Sequence, residues 1–185
     1  MRYRLIGREH LEKGKQYIFC PNHFSYLDIP SMGLIPKPFK FIGKNSVSKV
    51  PLFGYMFKKL HIAVDRNNLR DRHRSFEKGK QALLEGLSLV VFPEGGIMTK
   101  NPPHMAPFKS GAFKMAIELQ IPIIPVTIPY NWILLPDDNR FLMKNGKASI
   151  IFHEPVFPDQ HEGNEETLRQ EVRSIIENEL HSTFK

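Results

Sequence analysis

Seven short apolar runs, rich in β-branched and aromatic residues, recur along the chain, and stretches of helical period separate several of them. The runs are Tyr3–Ile6, Tyr17–Cys20, Phe39–Ile42, His61–Val64, Leu87–Phe92, Ile123–Ile128 and Ala148–Phe152. Each is of strand length. Leu69–Leu84 is charged, with Phe76, Leu83 and Leu84 apolar, and Ser110–Leu119 sets Ala112, Phe113, Ala116 and Leu119 on neighbouring turns. Leu168, Val172, Ile175, Ile176 and Leu180 give the clearest helical period of all. Strands alternating with helices predict an α/β fold, here one domain over residues 1–185 with a mixed, mostly parallel sheet covered by helices.

A chain of 185 residues with 41% apolar and 24% charged residues fits one ordinary domain and excludes disorder. Its one cysteine, Cys20, rules out an internal disulfide and suits a reducing, cytosolic setting. No apolar run approaches the roughly 20 residues that a spanning helix needs. The start, Met1-Arg2-Tyr3-Arg4, is unlike a signal peptide. Net charge is +7 but uneven: residues 1–120 hold 20 Lys and Arg against 9 Asp and Glu, whereas residues 121–185 hold 6 against 10. The basic part points to an anionic partner or to a solvated basic surface.

Four places carry candidate chemistry. Pro21-Asn22-His23-Phe24-Ser25-Tyr26-Leu27-Asp28 follows a strand and precedes a helix. A carboxylate there can hold the imidazole Nδ1–H while Nε2 faces a substrate hydroxyl. On a straight helix five residues turn through about 140°, so His23 has to sit on the turn before the helix for the pair to meet. The same stretch reads as a capping box, with Ser25 as N-cap and Asp28 three positions on. Phe92-Pro93-Glu94-Gly95-Gly96 follows another strand end, where ligands bind in α/β sheets and glycines allow close backbone approach; it also reads as a plain turn. Pro51-Leu52-Phe53-Gly54 with Asp65-Arg66 offers a guanidinium for phosphate or a surface ion pair. Ile121-Pro122-Ile123-Ile124-Pro125-Val126 reads as a buried strand. Cys20, at the end of a strand, reads as core and not as a nucleophile, and the other seven histidines lack metal-ligand spacing.

In order and spacing these four blocks resemble those of the glycerolipid acyltransferases, and most of all the bacterial 1-acyl-sn-glycerol-3-phosphate acyltransferases. Phe108-Lys109-Ser110-Gly111-Ala112-Phe113 fits the stretch between the third and fourth blocks. The resemblance implies that His23 is the general base and Asp28 its orienter, and that Arg66, helped by Lys44, holds the acceptor's phosphate. Glu94, Gly95 and Gly96 would shape the acceptor site, their backbone being the candidate for oxyanion donors, and Ile121–Val126 would support the pocket and the acyl chain. The implied reaction takes an acyl group from acyl-CoA or acyl carrier protein to 1-acyl-sn-glycerol-3-phosphate, with no cofactor and no metal.

Two departures qualify the expectation. The family's third block continues from Glu-Gly with Thr and Arg, where this chain has Gly96-Ile97, so an acceptor such as a lyso-aminolipid stays open. Many members carry an N-terminal membrane helix before the strand that resembles Tyr3–Ile6; this chain begins just before that strand, which leaves a short natural form and a piece of a longer protein both open. Expected partners are the acyl donor, a lysolipid and an anionic membrane surface, and not nucleic acid. The expected location is peripheral, on the cytoplasmic side of a membrane. Apolar Pro51–Phe57 followed by Lys58-Lys59, together with Trp132-Ile133-Leu134-Leu135, are the candidate membrane contacts. A non-catalytic anionic-membrane binder is the reading from another class; it leaves His23, Asp28 and Glu94 at strand ends without a use.

Overall fold

The computed structural model describes residues 3–44, 59–65, 67–138, 140 and 142–185, with Lys44 described for its backbone alone. All seven apolar runs form strands: β1 Tyr3–Ile6, β2 Ile18–Pro21, β3 Phe39–Lys44, β4 Ile62–Val64, β5 Ser88–Val91, β6 Ile123–Thr127 and β7 Ala148–Phe152. They make one sheet in the order β1-β7-β6-β2-β5-β3-β4. Pairing is parallel throughout except between β6 and β7.

The interior strands β2, β5 and β6 read as near-continuous apolar runs because both of their faces are buried, whereas edge strand β1 alternates half-buried and exposed residues. Ile18, Cys20, Leu89 and Ile123 enter one core, and their neighbours Phe19, Val90, Ile124 and Val126 enter another on the opposite face. Among the described residues, the first core receives the long helices α2 Leu69–Leu84, α3 Gly111–Leu119 and α5 Glu165–Thr183. Among the described residues, the second is closed by short elements, including α1 Asp28–Ser31 and the 3₁₀ turn Met32–Leu34, and by Ile35 after them. A further short helix, α4 Asn131–Leu134, follows β6. Among the described residues, the expected cover of helices is therefore concentrated on one side.

Local chemistry fixes the long helices. Asn68 accepts the N–H groups of Arg70 and Asp71 at the start of α2, and Asn164 accepts those of Glu166 and Thr167 at the start of α5, as good N-caps do. The α5 stripe Leu168, Val172, Ile176 and Leu180 is fully buried. Gly79 lets α2 lie close on the sheet, since a Cβ there would come within 3.0 Å of Ile42 Cδ1 and Met115 Sδ.

Pro125 sits in an interior strand, a place proline rarely occupies because it has no N–H to give. Ile123 N–H donates to Val156 O on the β7 side. By the two-residue period of a strand, residue 125 presents its nitrogen to that same side. The segment leaving β7 donates His153 N–H to Pro125 O (3.0 Å) and pairs again with Ile123 at Val156, so the missing donor falls opposite the two residues between these contacts, Glu154 and Pro155.

Candidate active site

β2 and β5 are neighbours in the sheet, so the segments that leave their C-terminal ends, Asn22–Ser25 and Phe92–Gly96, emerge side by side. Asn22 governs the first exit. Its side chain donates to Ile128 O (3.1 Å) and accepts from Ile128 N–H (2.7 Å), in effect one more rung between β2 and β6. His23 therefore lies on a loop, and α1 begins only at Asp28. The condition that the spacing imposed on the pair is met.

His23 Nδ1 is 3.0 Å from Asp28 Oδ2. A carboxylate only accepts, so Nδ1 carries the hydrogen and Nε2 is the nitrogen left for chemistry. The same Oδ2 accepts the N–H groups of Phe24 and Ser25, both at 2.8 Å. Orienting the imidazole and closing the turn at Phe24–Ser25 are thus done by one oxygen, but the helix starts later than the capping box set it, with Leu27 and not Ser25 at the N-cap. Its Oδ1 accepts from Asn131 Nδ2 at 2.9 Å, and Asn131 Oδ1 accepts the Tyr3 hydroxyl at 2.9 Å. A carboxylate with no exposure is compensated by four donors. The His23 ring stacks on Phe92, with centroids 4.1 Å apart, and is 7% exposed.

Glu94 is 1% exposed. Its Oε1 accepts His23 N–H at 2.7 Å and its Oε2 accepts Ala106 N–H at 2.9 Å. Both oxygens are taken by main chain, so Glu94 shapes the site by bracing its walls. Burial raises its pKa to about 7, against the lowering effect of these two hydrogen bonds. Gly95 has φ +84° and lies beneath the Lys109 side chain, whose Nζ would be 2.7 Å from a Cβ there. Its N–H is spent on Phe92 O (3.0 Å), which removes it as an oxyanion donor. Gly96 follows in the same turn.

Beside this turn opens a groove of about 980 Å³ between the sheet, α2 and α3. Ile42, Val64, Phe76, Val91, Phe92 and Met115 give it an apolar lining, and Arg70, Arg72, Lys109 and Lys114 add cations. Phe92 is common to the two features: its ring stacks on His23 and it is among the residues lining the groove, which do not include His23, Asp28 or Glu94 themselves. β6 supplies none of the lining; Ile121–Val126 serves as the buried centre of the sheet.

Other sequence candidates fall elsewhere. Arg66, the Pro51–Gly54 block and the Pro51–Phe57 run lie outside the described residues, as does the Lys44 side chain, although Lys44 closes β3. Cys20 is fully buried, and burial pushes its thiol well above the usual range, so it is no nucleophile. Trp132–Leu135 is not an exposed stripe: Leu134 is core, Trp132 packs on Phe184, and only Ile133 of the first three is exposed. Among the described residues, no three His, Cys, Asp or Glu gather as metal ligands, and no helix is long and apolar enough to cross a membrane. Asn131 escaped the sequence reading; its one signal is an amide inside the apolar stretch from Ile121 to Leu135.

Residues 2–129 match the family model described as Acyltransferase. The chain belongs to the acyltransferase family. It is 32% identical over 180 residues to a 1-acyl-sn-glycerol-3-phosphate acyltransferase of Chlamydomonas reinhardtii, covering 95% of this chain and 53% of that protein. To the enzyme of the same name from Saccharomyces cerevisiae it is 35% identical over 128 residues, covering 68% of this chain and 42% of the other. The crystal structure of the 1-acyl-sn-glycerophosphate acyltransferase PlsC from Thermotoga maritima superposes with a TM-score of 0.78 at 26% identity, over 98% of this acyltransferase and 72% of that chain. The acyltransferase chain thus spans about half the length of the curated relatives it matches. The matched residues contain His23, Asp28 and Glu94, and end before Asn131.

Proposed function

We propose that this acyltransferase moves an acyl group from a thioester to the free hydroxyl of 1-acyl-sn-glycerol-3-phosphate, giving phosphatidic acid and a free thiol. The observation that carries the reading is the His23–Asp28 pair at 3.0 Å, set beside a groove with an apolar lining and several cations. His23 Nε2 takes the hydroxyl proton as the acceptor oxygen bonds to the thioester carbonyl carbon. The C–S bond then breaks and the imidazolium returns the proton to the departing sulfur. The step balances without a cofactor and without an enzyme-bound acyl group, since the thioester is already activated. General-base assistance of this kind is worth ~10²–10⁴-fold.

The groove lining suits a fatty acyl chain, and Lys109, lying over Gly95, offers a cation near the place where the family's third block has an arginine and this chain has Ile97. That favours a phosphate-bearing acceptor. Ile97 itself favours the second reading, a lysolipid without phosphate. Thiol release and product mass, measured on an acceptor panel with acyl-CoA and with acyl carrier protein as donors, separate the two. Absence of thiol release above the His23→Ala level with every acceptor would overturn both.

The acceptor resides in a bilayer, and we infer an anionic membrane surface as the partner. Tyr26, Ile133, Leu142 and Met143 are exposed. Their segments adjoin, since Ser25 Oγ donates to Leu135 O (2.7 Å) and Lys144 N–H to Leu134 O (2.7 Å). Arg140, Lys144 and Lys147 stand in the same stretch. Such a rim supports a peripheral location.

A further inference from the structure

The residues that brace His23 extend beyond the family's matched region. Glu94 ties His23 N–H to Ala106 N–H, so the position of the base depends on where residue 106 is held. Arg173, on α5, holds it. Its Nη1 donates to Ala106 O (2.9 Å) and its Nη2 to Met105 O (3.2 Å), while the guanidinium lies over the Phe108 ring at 5.7 Å. Glu177, one turn on, is 3.5 Å from Nη2 and steadies the fork. The peptide at 105–106 is thus gripped on one side by a fixed cation and on the other by the carboxylate that carries the base.

We propose that Arg173 is a positioning residue for acyl transfer, acting through the 105–108 loop and Glu94 on His23; this rests on the reading of His23 as the base. Docking α5 does not by itself require this arginine, because Leu168, Val172, Ile176 and Leu180 already bury the helix. The electrostatics point the same way. An ionised Glu94 accepts these two N–H groups more strongly than a protonated one, whose hydroxyl oxygen is the weaker acceptor. Burial and the nearby Asp28 work against ionisation, and the Arg173 charge works for it. The charged and titratable groups facing Glu94 are His23 and Asp28 from the base side and Arg173 from α5, with Lys109 across the adjacent Gly95.

The test uses the full chain with Arg173→Met, Arg173→Lys, Glu94→Gln and the Arg173→Met/Glu94→Gln double variant. kcat and KM are measured across pH with lysophosphatidic acid and an acyl thioester. Arg173→Met is expected to lower kcat about tenfold at neutral pH with KM little changed, the size of one charge-assisted contact. The acid limb of kcat should move to higher pH, as loss of an opposite charge dictates. Arg173→Lys should restore part of both effects, and in the Glu94→Gln background Arg173→Met should add little, as coupled residues do. Equal loss at every pH, a change confined to KM, full additivity, or failure of both single Arg173 variants to fold would each overturn the proposal. Amide exchange at Ala106 and His23 gives a readout free of activity: Arg173→Met should speed both. If the wild type transfers no acyl group, the function reading fails, while exchange still reports whether Arg173 braces residue 23.

Discussion

Replacing Asp28 by asparagine isolates charge from shape. The amide oxygen can still accept from His23 Nδ1, Phe24 N–H and Ser25 N–H, which now meet at Oδ2. The new NH₂ then faces Asn131 Nδ2, donor against donor. Asn131 can resolve this by turning its amide over, so that its oxygen accepts from residue 28 and its nitrogen donates to the Tyr3 hydroxyl oxygen, now 2.9 Å from Asn131 Oδ1, at the loss of its bond to Ser31 Oγ (3.2 Å). The stability loss should therefore stay near 1–2 kcal/mol, about one weakened set of buried hydrogen bonds. Turnover should suffer far more. When His23 takes the hydroxyl proton, an imidazolium forms 3.0 Å from Asp28. At an effective dielectric of about 20 that pair is worth roughly 5.5 kcal/mol, or about four decades of rate. Partial proton transfer in the transition state reduces the figure, so a loss of ~10²–10⁴ in kcat is expected, comparable to the aspartate-to-asparagine change in a serine-protease triad. Thiol release at saturating substrate, beside a thermal melt, measures both quantities. A folded Asp28→Asn protein with turnover within about threefold of wild type would refute the reasoning, since one decade is already about 1.4 kcal/mol, and would leave Asp28 as a cap alone.

Three further outcomes are expected. Glu94 has a folded pKa of about 7 against an ordinary 4.5, so the folded state binds the extra proton between those values, and its contribution to stability declines as pH rises through that window, by about 3 kcal/mol in all; calorimetry should show this slope flattened in Glu94→Gln. Activity runs the opposite way, because the braced, ionised form prevails only above about pH 7. Cys20→Ser should keep its turnover and lose about 1–3 kcal/mol of stability, since a hydroxyl enters an apolar core; a folded but inactive variant would revive an acyl-cysteine route. Lys109→Met should lower kcat/KM roughly 10–150-fold for a phosphate-bearing acceptor, the value of a charge-assisted contact, and much less for one without phosphate; equal losses would move Lys109 to the fold or the donor.

Most of the strands and helices could be read from the chain because the local signals were unambiguous. Leu87–Phe92 is apolar without alternation since both of its faces are buried, and Leu168 to Leu180 keeps one stripe of a helix. The order of strands was not legible, because β2 finds β5 and β6 only through long-range pairing, and no local pattern marks β7 as antiparallel to β6. The His23–Asp28 pair could be read from its position between a strand and a helix. The bracing function of Glu94 could not, since its partners are main-chain groups of His23 and Ala106, which any residue would offer. Asn131 and Arg173 share the difficulty: each acts on a site far away in sequence, and only the folded chain brings it there.

The site's bonds span long loops. His23 meets Glu94 across 71 residues, Asp28 meets Asn131 across 103, and Asn22 meets Ile128 across 106. Non-local pairings of this kind form slowly, because loop closure precedes any reward. Helices α2 and α5 can form locally well before these closures. On refolding, recovery of helical circular dichroism should therefore run ahead of recovery of the base, and a nascent chain that already displays His23 and Asp28 still lacks the neighbours that make them a pair.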